Sequence, residues 1–142
     1  MKGVLGFFFN TLLYFGLVAF FLWGLPVLLS KLLNTPYPMA SITSGSMWPV
    51  LKEGDLIFIQ GVPEKDLKKG DVIVWRNDKG FTIHRIVKVN ENTIVTKGDA
   101  NFQEDKPISP TDVVGKAFQV GERYVRIPYI GVITIAASRF VQ

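Results

Sequence analysis

The sequence predicts a mainly β fold, an antiparallel barrel-like or sandwich domain preceded by one N-terminal transmembrane helix. The helix is indicated by an apolar run that carries no charge between Lys2 and Lys31. The β domain is indicated by short segments rich in β-branched and aromatic residues, with turn signals between them. These patterns predict two parts, a membrane anchor in residues 1–33 and a β-rich domain in residues 34–142.

The composition limits the classes of protein to which the chain can belong. Its 142 residues leave room for one globular domain besides the helix. The 16 basic residues exceed the 12 acidic ones, but no basic run is interleaved with aromatic residues, so we expect no nucleic-acid partner. The absence of cysteine excludes disulfides, thiolate metal sites and a cysteine nucleophile, and one histidine makes a poor metal-ligand set. The sequence therefore predicts no metal site and no cofactor.

The apolar run Gly3–Ser30 is long enough to cross a membrane. A helix of this length reaches about 40 Å, against about 30 Å for a hydrocarbon core. A cleavable secretory signal has a shorter apolar region, and residues 38–40 (Pro-Met-Ala) make a poor cleavage site because proline comes first. We therefore expect an uncleaved anchor, with its N-terminus in the cytoplasm and the domain on the other side. Trp23, Gly24 and Pro26 indicate a membrane interface or a kink near its far end.

The remainder of the chain alternates between predicted strands and turns. Residues 34–40 contain two prolines and are typical of an extended linker leading away from the membrane. Residues 63–69 can supply one helical turn, and no internal repeat is visible. The predicted strands are residues 56–60, 72–76, 81–89, 93–97, 113–120 and 123–127.

The final apolar run, residues 127–137, has two interpretations. It is too short to cross a bilayer as a helix. We expect it either to lie in the membrane interface, together with the rest of residues 127–142, or to form the last strand of the core.

The loop from Ser44 to Pro49 contains two hydroxyl groups, a glycine and a proline within six residues. Gly45 permits backbone angles that other residues resist, and Pro49 fixes φ, so this turn can hold the Ser46 hydroxyl exposed in one geometry. Ser-Gly-Ser is also a common loop sequence, and by itself it is weak evidence for catalysis.

His84 is the only histidine and lies in a predicted strand, on one face with Thr82 and Ile86. A lone strand histidine is usually structural, but histidine is also the commonest general base of serine hydrolases. The turn that contains Asp99, and Asp105 beyond it, offer carboxylates able to accept a hydrogen bond from the imidazole.

Three motifs in a fixed order make a family resemblance specific. The chain contains SGSMWP at residues 44–49, GFTIHRIV at 80–87 and TKGDAN at 96–101, and Asp105 follows Asp99 by six residues. After a single N-terminal apolar segment, this set resembles signal peptidase I of the archaeal and endoplasmic-reticulum type. The resemblance covers nearly the whole chain.

The resemblance implies a role for each matching residue. Ser46, the serine before Met, is expected to be the nucleophile, and His84 is expected to be the general base where the bacterial branch has lysine. Asp105 is the expected triad acid and Asp99 a supporting residue. The implied oxyanion hole consists of the Ser46 backbone N–H and the Ser44 hydroxyl.

The resemblance also implies substrates and a location. The expected activity is removal of N-terminal signal peptides from secreted preproteins after small residues, with Met47 and Ile83 forming a shallow apolar substrate-binding wall. The expected partners are these preproteins, the lipid bilayer and the secretion translocon. Residues 34–142 are then a serine protease domain on the extracytoplasmic side of the cell membrane, or of the endoplasmic-reticulum membrane in a eukaryote.

Two other interpretations remain open from the sequence. A self-cleaving repressor-type serine protease would need a lysine at the position of His84 and a cleavable internal segment. In a non-catalytic membrane-tethered β module, Ser46, His84 and Asp105 would be unrelated surface residues. The distance from Ser46 Oγ to the imidazole discriminates between these, because a value above about 6 Å would exclude the enzyme.

Overall fold

The computed structural model describes residues 2–78 and 80–139, and its N-terminal part is helical as predicted. The helix consists of α1 (Lys2–Ala19), a π-helical turn (Phe20–Gly24) and α2 (Leu25–Leu32). It contains a segment, Gly3–Leu32, that is long and apolar enough to cross a membrane, with a mean hydropathy of 2.3. No residue of its most apolar window is buried against the rest of the chain.

The π-helical turn lies where the sequence predicts an irregularity. Pro26 occupies the first turn of α2, and a proline inside a helix clashes with the carbonyl group four residues before it. The N–H of Leu25 donates instead to the oxygen of Phe20, five residues back. The widened turn accommodates the proline ring without interrupting the helix.

The linker after the helix is held against the domain. The N–H of Gly61 donates to Leu33 O at 2.8 Å, and the Ser30 hydroxyl donates to Thr35 O at 2.6 Å. A Cβ atom at position 61 would lie 1.9 Å from Asn34 O, so only glycine allows this close approach. The segment predicted as a linker also contributes a short strand, β1 (Met39–Ser41), that the sequence did not reveal.

The domain consists mainly of one antiparallel sheet, which confirms the predicted fold class. The strands after β1 are β2 (Leu56–Gln60), β3 (Val72–Asn77), β4 (Gly80–Val89), β5 (Ile94–Lys97), β6 (Val113–Ala117), β7 (Gln119–Val120), β8 (Arg123–Tyr124) and β9 (Arg126–Ile127). The strand order of the sheet is β1-β2-β6-β3-β4-β5, with β9 also paired to β2, and β7 and β8 form a separate hairpin. Within the described residues the sheet is open and not closed into a barrel.

Two predicted strands are each divided in the structure because the chain changes partners. Residues 113–120 pair first with β2 and β3 and then, beyond Phe118, with β8. Residues 123–127 pair with β7 and then, beyond Val125, with β2. The helical turn predicted within residues 63–69 is present at Glu64–Asp66.

Both faces of the sheet are covered by apolar clusters. Val72 and Ile73 are adjacent on β3 and point to opposite faces, so they enter different clusters. The first cluster also contains Ile42 and Met47, which flank the Ser44–Ser46 loop. That loop is therefore fixed at both ends by buried side chains.

The final apolar run is a helix, α3 (Gly131–Arg139), and the expectation of a last core strand is wrong. The edge of β2 that such a strand could use is already paired with β9. The chain then turns at Tyr129, which has a φ of 64°. Gly131 packs so closely on Gly54 that a Cβ atom would lie 2.8 Å from its oxygen. Location of residues 127–142 in the membrane interface stays a prediction, and residues 140–142 lie outside the described residues.

Candidate active site

Ser46 lies in a 3₁₀ turn, Gly45–Met47, that leads out of β1. The side chain of Met47 is 1% exposed and belongs to the first apolar cluster. Its burial holds the turn against the core. Ser46 O accepts a hydrogen bond from the N–H of Ala100 at 2.9 Å. Ser46 is half-buried rather than exposed, and Gly45 does not have a positive φ, so the turn does not depend on the backbone freedom expected of that glycine.

Gly98 allows the turn at residues 98–101 to approach the Ser46 loop. A Cβ atom at position 98 would lie 2.7 Å from Ser46 O and 2.7 Å from the side-chain nitrogen of Asn101. Ser46 O is a backbone atom, so it cannot move aside unless the loop itself shifts. The close contact of the two loops therefore requires glycine here.

His84 lies on β4 opposite Ile73 of β3 and is 8% exposed. Its Nε2 atom is 3.2 Å from Ser46 Oγ, well below the 6 Å limit set above. Its Nδ1 atom is 2.6 Å from Asp105 Oδ2. The three side chains form one hydrogen-bonded row, with the imidazole between the hydroxyl and the carboxylate.

Asp105 is held by Thr96, for which the sequence indicated no role in the site. The Thr96 hydroxyl donates to Asp105 Oδ2 at 2.6 Å, and the N–H of Asp105 donates to Thr96 O at 2.8 Å. Thr96 is 0% exposed. A threonine within a strand carries no sequence signal for this contact, because the contact depends on how the loop after β5 folds back.

Asp99 lies apart from the imidazole and binds Arg85. Its two oxygens accept from Arg85 Nε at 2.8 Å and from Arg85 Nη2 at 2.7 Å. Arg85 Nη1 also donates to Gly70 O and to the Tyr124 hydroxyl. The hydrogen bond with Asp99 raises the pKa of Arg85 above its ordinary value, against the opposing effect of burial. The cluster joins β4 to the turn that contacts the Ser46 loop.

A cleft of about 640 Å³ opens beside Ser46 and His84. It lies between β1 and the first half of β4, and Met47, Ile83 and Asn101 contribute to its lining. Ser44 lies on the same side, with its hydroxyl 3.1 Å from Ser46 Oγ. In the part of the chain that the structure describes, no group of three His, Cys, Asp or Glu side chains could hold a metal ion.

Comparison with known proteins identifies the family to which the chain belongs. The family model for Peptidase S24-like domains matches residues 26–118. The signal peptidase complex catalytic subunit sec11 of Neurospora crassa is 33% identical over 141 residues, which cover 89% of this chain and 79% of the relative. The SEC11 subunit of Candida dubliniensis is 33% identical over 143 residues, which cover 94% and 83%.

A third relative is the human signal peptidase complex catalytic subunit SEC11C. It is 30% identical over 118 residues, which cover 72% of this chain and 58% of the relative. A family model that spans most of the domain, and relatives that align along most of the chain, point to the same class of enzyme. The chain therefore belongs to the Peptidase S24-like family and, within the serine peptidases, to signal peptidase I of the endoplasmic-reticulum type.

Proposed function

We propose that this chain is a membrane-bound endopeptidase that removes N-terminal signal peptides from secreted preproteins, with Ser46 as nucleophile and His84 as general base. The observation that carries the proposal is the continuous row of contacts from Ser46 Oγ through the imidazole to Asp105 Oδ2, at 3.2 and 2.6 Å. A hydroxyl, a base and a carboxylate in this arrangement are what acyl transfer requires.

The reaction then proceeds in two halves. Ser46 Oγ attacks the scissile carbonyl while His84 Nε2 takes its proton, and the same imidazole gives that proton to the leaving amine. This leaves an acyl-enzyme on Ser46, which a water molecule activated by His84 hydrolyses. Proton transfer of this kind contributes roughly 10²- to 10⁴-fold.

We assign Asp105 as the triad acid and Asp99 as a supporting residue. Asp105 accepts the bond from His84 Nδ1, which leaves Nε2 free to accept the serine proton and stabilises the imidazolium that forms. Asp99 instead binds Arg85 through both oxygens. In this role it holds the turn whose Ala100 N–H binds Ser46 O.

The oxyanion hole of the proposal uses the Ser46 N–H and the Ser44 hydroxyl. The first N–H groups of a helical turn have no partner within the turn. Ser46 is the second residue of Gly45–Met47, so its N–H has no partner within that turn. The Ser44 hydroxyl, 3.1 Å from Ser46 Oγ, can rotate toward the developing negative charge. Loss of one such donor costs about 3 to 4 kcal/mol of transition-state stabilisation in comparable enzymes.

Cleavage after small residues is the proposed specificity. Met47 and Ile83 line the cleft next to the nucleophile, and Met47 is fully buried, so the floor there is apolar and cannot be displaced. A shallow apolar floor accommodates a small side chain more readily than a large or charged one.

The remaining parts of the proposal concern the membrane and the partners of the chain. Residues 1–33 would form the anchor and residues 34–142 the protease domain, on the extracytoplasmic side of the membrane. Anchor and signal peptide would be confined to one bilayer, which raises their effective concentration without any new contact. Preproteins, the bilayer and the secretion translocon are the proposed partners.

The test is cleavage of a preprotein by the full chain in detergent or liposomes. Ser46→Ala should abolish cleavage, because no other group can form the acyl-enzyme, while the thermal unfolding curve stays close to that of the unchanged protein. Ser109→Ala is the matched control, since Ser109 is exposed and does not line the cleft. Cleavage that survives Ser46→Ala would exclude the proposed mechanism.

A further inference from the structure

A second pocket, of about 310 Å³, lies where the linker after α2 meets the domain. Its lining combines two linker residues, Pro36 and Tyr37, with Arg76 of β3 and with residues 111–114, where β6 begins. Among the described residues, it shares no lining residue with the cleft beside Ser46. Its volume is at the lower end of the range of about 300 to 1,000 Å³ that is typical of small-ligand pockets.

Two residues of opposite charge line this pocket, Arg76 and Asp112. Both are exposed, and neither takes part in any of the ion pairs found among residues 2–78 and 80–139. Their charged atoms are therefore farther apart than those of a direct ion pair. A pocket that presents a separated cation and anion is complementary to a ligand that carries both charges.

Tyr37 holds the guanidinium of Arg76 in place. Arg76 Nη2 donates to the Tyr37 hydroxyl at 3.2 Å, and the guanidinium carbon lies 5.9 Å from the centroid of the Tyr37 ring. A guanidinium has five N–H donors, so this contact leaves others for a ligand. Because the planar fork of arginine matches the oxygens of a phosphate group, phosphate is the anion that best suits this end of the pocket.

The pocket lies close to the end of the predicted membrane helix. The segment Gly3–Leu32 has 30 residues and reaches about 45 Å as a helix, close to the thickness of about 40 to 45 Å of a bilayer with its headgroup layers. Tyr37 follows Leu32 by only five positions, and the Gly61 N–H binds Leu33 O. The pocket is therefore held at the level of the lipid headgroups when the helix spans a bilayer.

We propose that this pocket binds the headgroup of a zwitterionic phospholipid, with the phosphate on Arg76 and the amine on Asp112. The inference rests on the proposed function, because it requires the helix to lie in a bilayer. The acyl chains extend into the bilayer beside α2, whose Leu28 and Leu32 side chains are exposed. The bound headgroup ties the linker and the start of β6 to one leaflet, which limits rotation of the domain about the helix end.

The amine of the headgroup distinguishes this ligand from an anionic lipid. Phosphatidylethanolamine presents an ammonium group to Asp112, whereas phosphatidylglycerol presents only hydroxyl groups and leaves the carboxylate without a cationic partner. In partly solvated surroundings, this difference corresponds to roughly threefold to tenfold in affinity, and added salt reduces it. A surface that attracted lipids through its basic residues alone would instead favour phosphatidylglycerol.

The experiment measures how much phospholipid the full chain retains in a neutral detergent. Phosphatidylethanolamine and phosphatidylglycerol with the same acyl chains are added in equal amounts, and native mass spectrometry counts the bound molecules of each. The unchanged protein is compared with Asp112→Asn, Arg76→Gln and Arg76→Lys, each with its thermal unfolding curve. Asp66→Asn and Arg123→Gln are the matched controls, because both residues are exposed and lie outside the pocket.

We expect the unchanged protein and both controls to retain threefold to tenfold more phosphatidylethanolamine than phosphatidylglycerol. Asp112→Asn should remove this preference, because no carboxylate then attracts the ammonium group. Arg76→Gln should lower the retention of both lipids, and Arg76→Lys should keep part of it because the charge remains. Soluble phosphoethanolamine at the same concentration should displace little of the lipid, since it lacks acyl chains.

The outcomes separate this site from the proposed function. Retention of phosphatidylglycerol at or above the level of phosphatidylethanolamine by the unchanged protein would overturn the headgroup site, as would a preference that persists in Asp112→Asn. Complete displacement by soluble phosphoethanolamine would also overturn it, in favour of a site for a small phosphate ester. The proposed function is tested separately, by Ser46-dependent cleavage of a preprotein in detergent without phospholipid, and absence of that cleavage would overturn it.

Discussion

Thr96 and Asp105 are joined by two hydrogen bonds, one through the backbone and one through the side chains, at 2.8 and 2.6 Å. The Thr96 hydroxyl donates to Oδ2, the same oxygen that lies 2.6 Å from His84 Nδ1. The carboxylate is therefore fixed in one orientation before any substrate binds, with one oxygen directed at the imidazole.

Thr96→Val should lower kcat for preprotein cleavage about tenfold and leave KM unchanged. Valine fills the same volume but cannot donate, so Asp105 loses a charge-assisted hydrogen bond of about 1.5 to 3 kcal/mol. Steady-state kinetics over a range of substrate concentrations separates the two parameters. Thr93→Val is the control, because Thr93 lies at the turn before β5, where its hydroxyl and its backbone oxygen accept hydrogen bonds from Asn90. Equal losses in both variants would mean that Thr96 does not act through Asp105.

Asp105→Asn should mainly lower kcat, whereas Asp99→Asn should mainly lower the stability of the fold. Asp105→Asn removes the acceptor for His84 Nδ1, and we expect kcat to fall roughly 10³- to 10⁴-fold because the wrong tautomer is favoured. Asp99→Asn weakens the pairing with Arg85 and should lower the free energy of unfolding by about 1 to 3 kcal/mol, with a much smaller loss of activity. Single-turnover cleavage and thermal unfolding of each variant provide the comparison. A greater loss of kcat in Asp99→Asn would reverse our assignment of the two carboxylates.

Gly98→Ala should destabilise the chain and slow cleavage at least tenfold. The new methyl group would lie 2.7 Å from Ser46 O, so the loop that carries the nucleophile must shift, and we expect a cost of about 1 to 3 kcal/mol. Gly45→Ala is the matched variant for stability, because nothing lies within 4 Å of a Cβ atom there. A normal melting temperature for Gly98→Ala would show that the two loops can separate at little cost.

Cleavage should decline as the pH falls below neutrality. Protonation of His84 removes the lone pair that must accept the Ser46 proton, because an imidazolium has no nitrogen free to act as a base. The measurement is kcat/KM from about pH 5 to pH 8, with circular dichroism to verify that the fold persists at the acidic end. A constant rate across this range would require a base other than histidine.

Arg126→Ala should be the most destabilising of these changes. Asp55 is buried, with 4% of its side chain exposed, and Arg126 is its ionic partner on β9. Removing one member of a buried pair leaves an uncompensated charge, which costs about 3 to 5 kcal/mol. Lys88→Ala breaks the exposed pair with Glu104 and should cost less than about 1 kcal/mol. Chemical denaturation of both variants tests the contrast, and similar costs would contradict it.

Local patterns in the sequence predicted much of the fold. The apolar run without charge predicted the N-terminal helix, and the clusters of β-branched residues predicted β2 to β5 within a few residues of their observed ends. Strand β1 escaped notice because its three residues carry no alternation long enough to detect. Residues 127–137 were expected to form a last core strand or to lie in the membrane interface, and the strand was wrong because Gly131–Arg139 form α3. Composition cannot reveal that β2 is already paired with β9.

The candidate site was only partly visible in the sequence. Ser46, His84 and Asp105 could be singled out because their motifs occur in a specific order. Thr96 lies in the TKGDAN motif, but the motif did not indicate its contact with Asp105, because a buried threonine in a strand resembles any other.

The sequence by itself determined the class of the protein: an apolar helix, a β-rich domain and the residue types of a serine peptidase. The residues alone left Asp99 and Asp105 both as candidates, the resemblance favoured Asp105, and only the tertiary structure shows which carboxylate meets His84. Asp105 lies 21 positions from His84 and reaches Nδ1, whereas Asp99 lies 15 positions away and turns to Arg85. Propensity and periodicity act over a few neighbouring residues, but this choice depends on how the loop after β5 packs against β4, which no local pattern encodes.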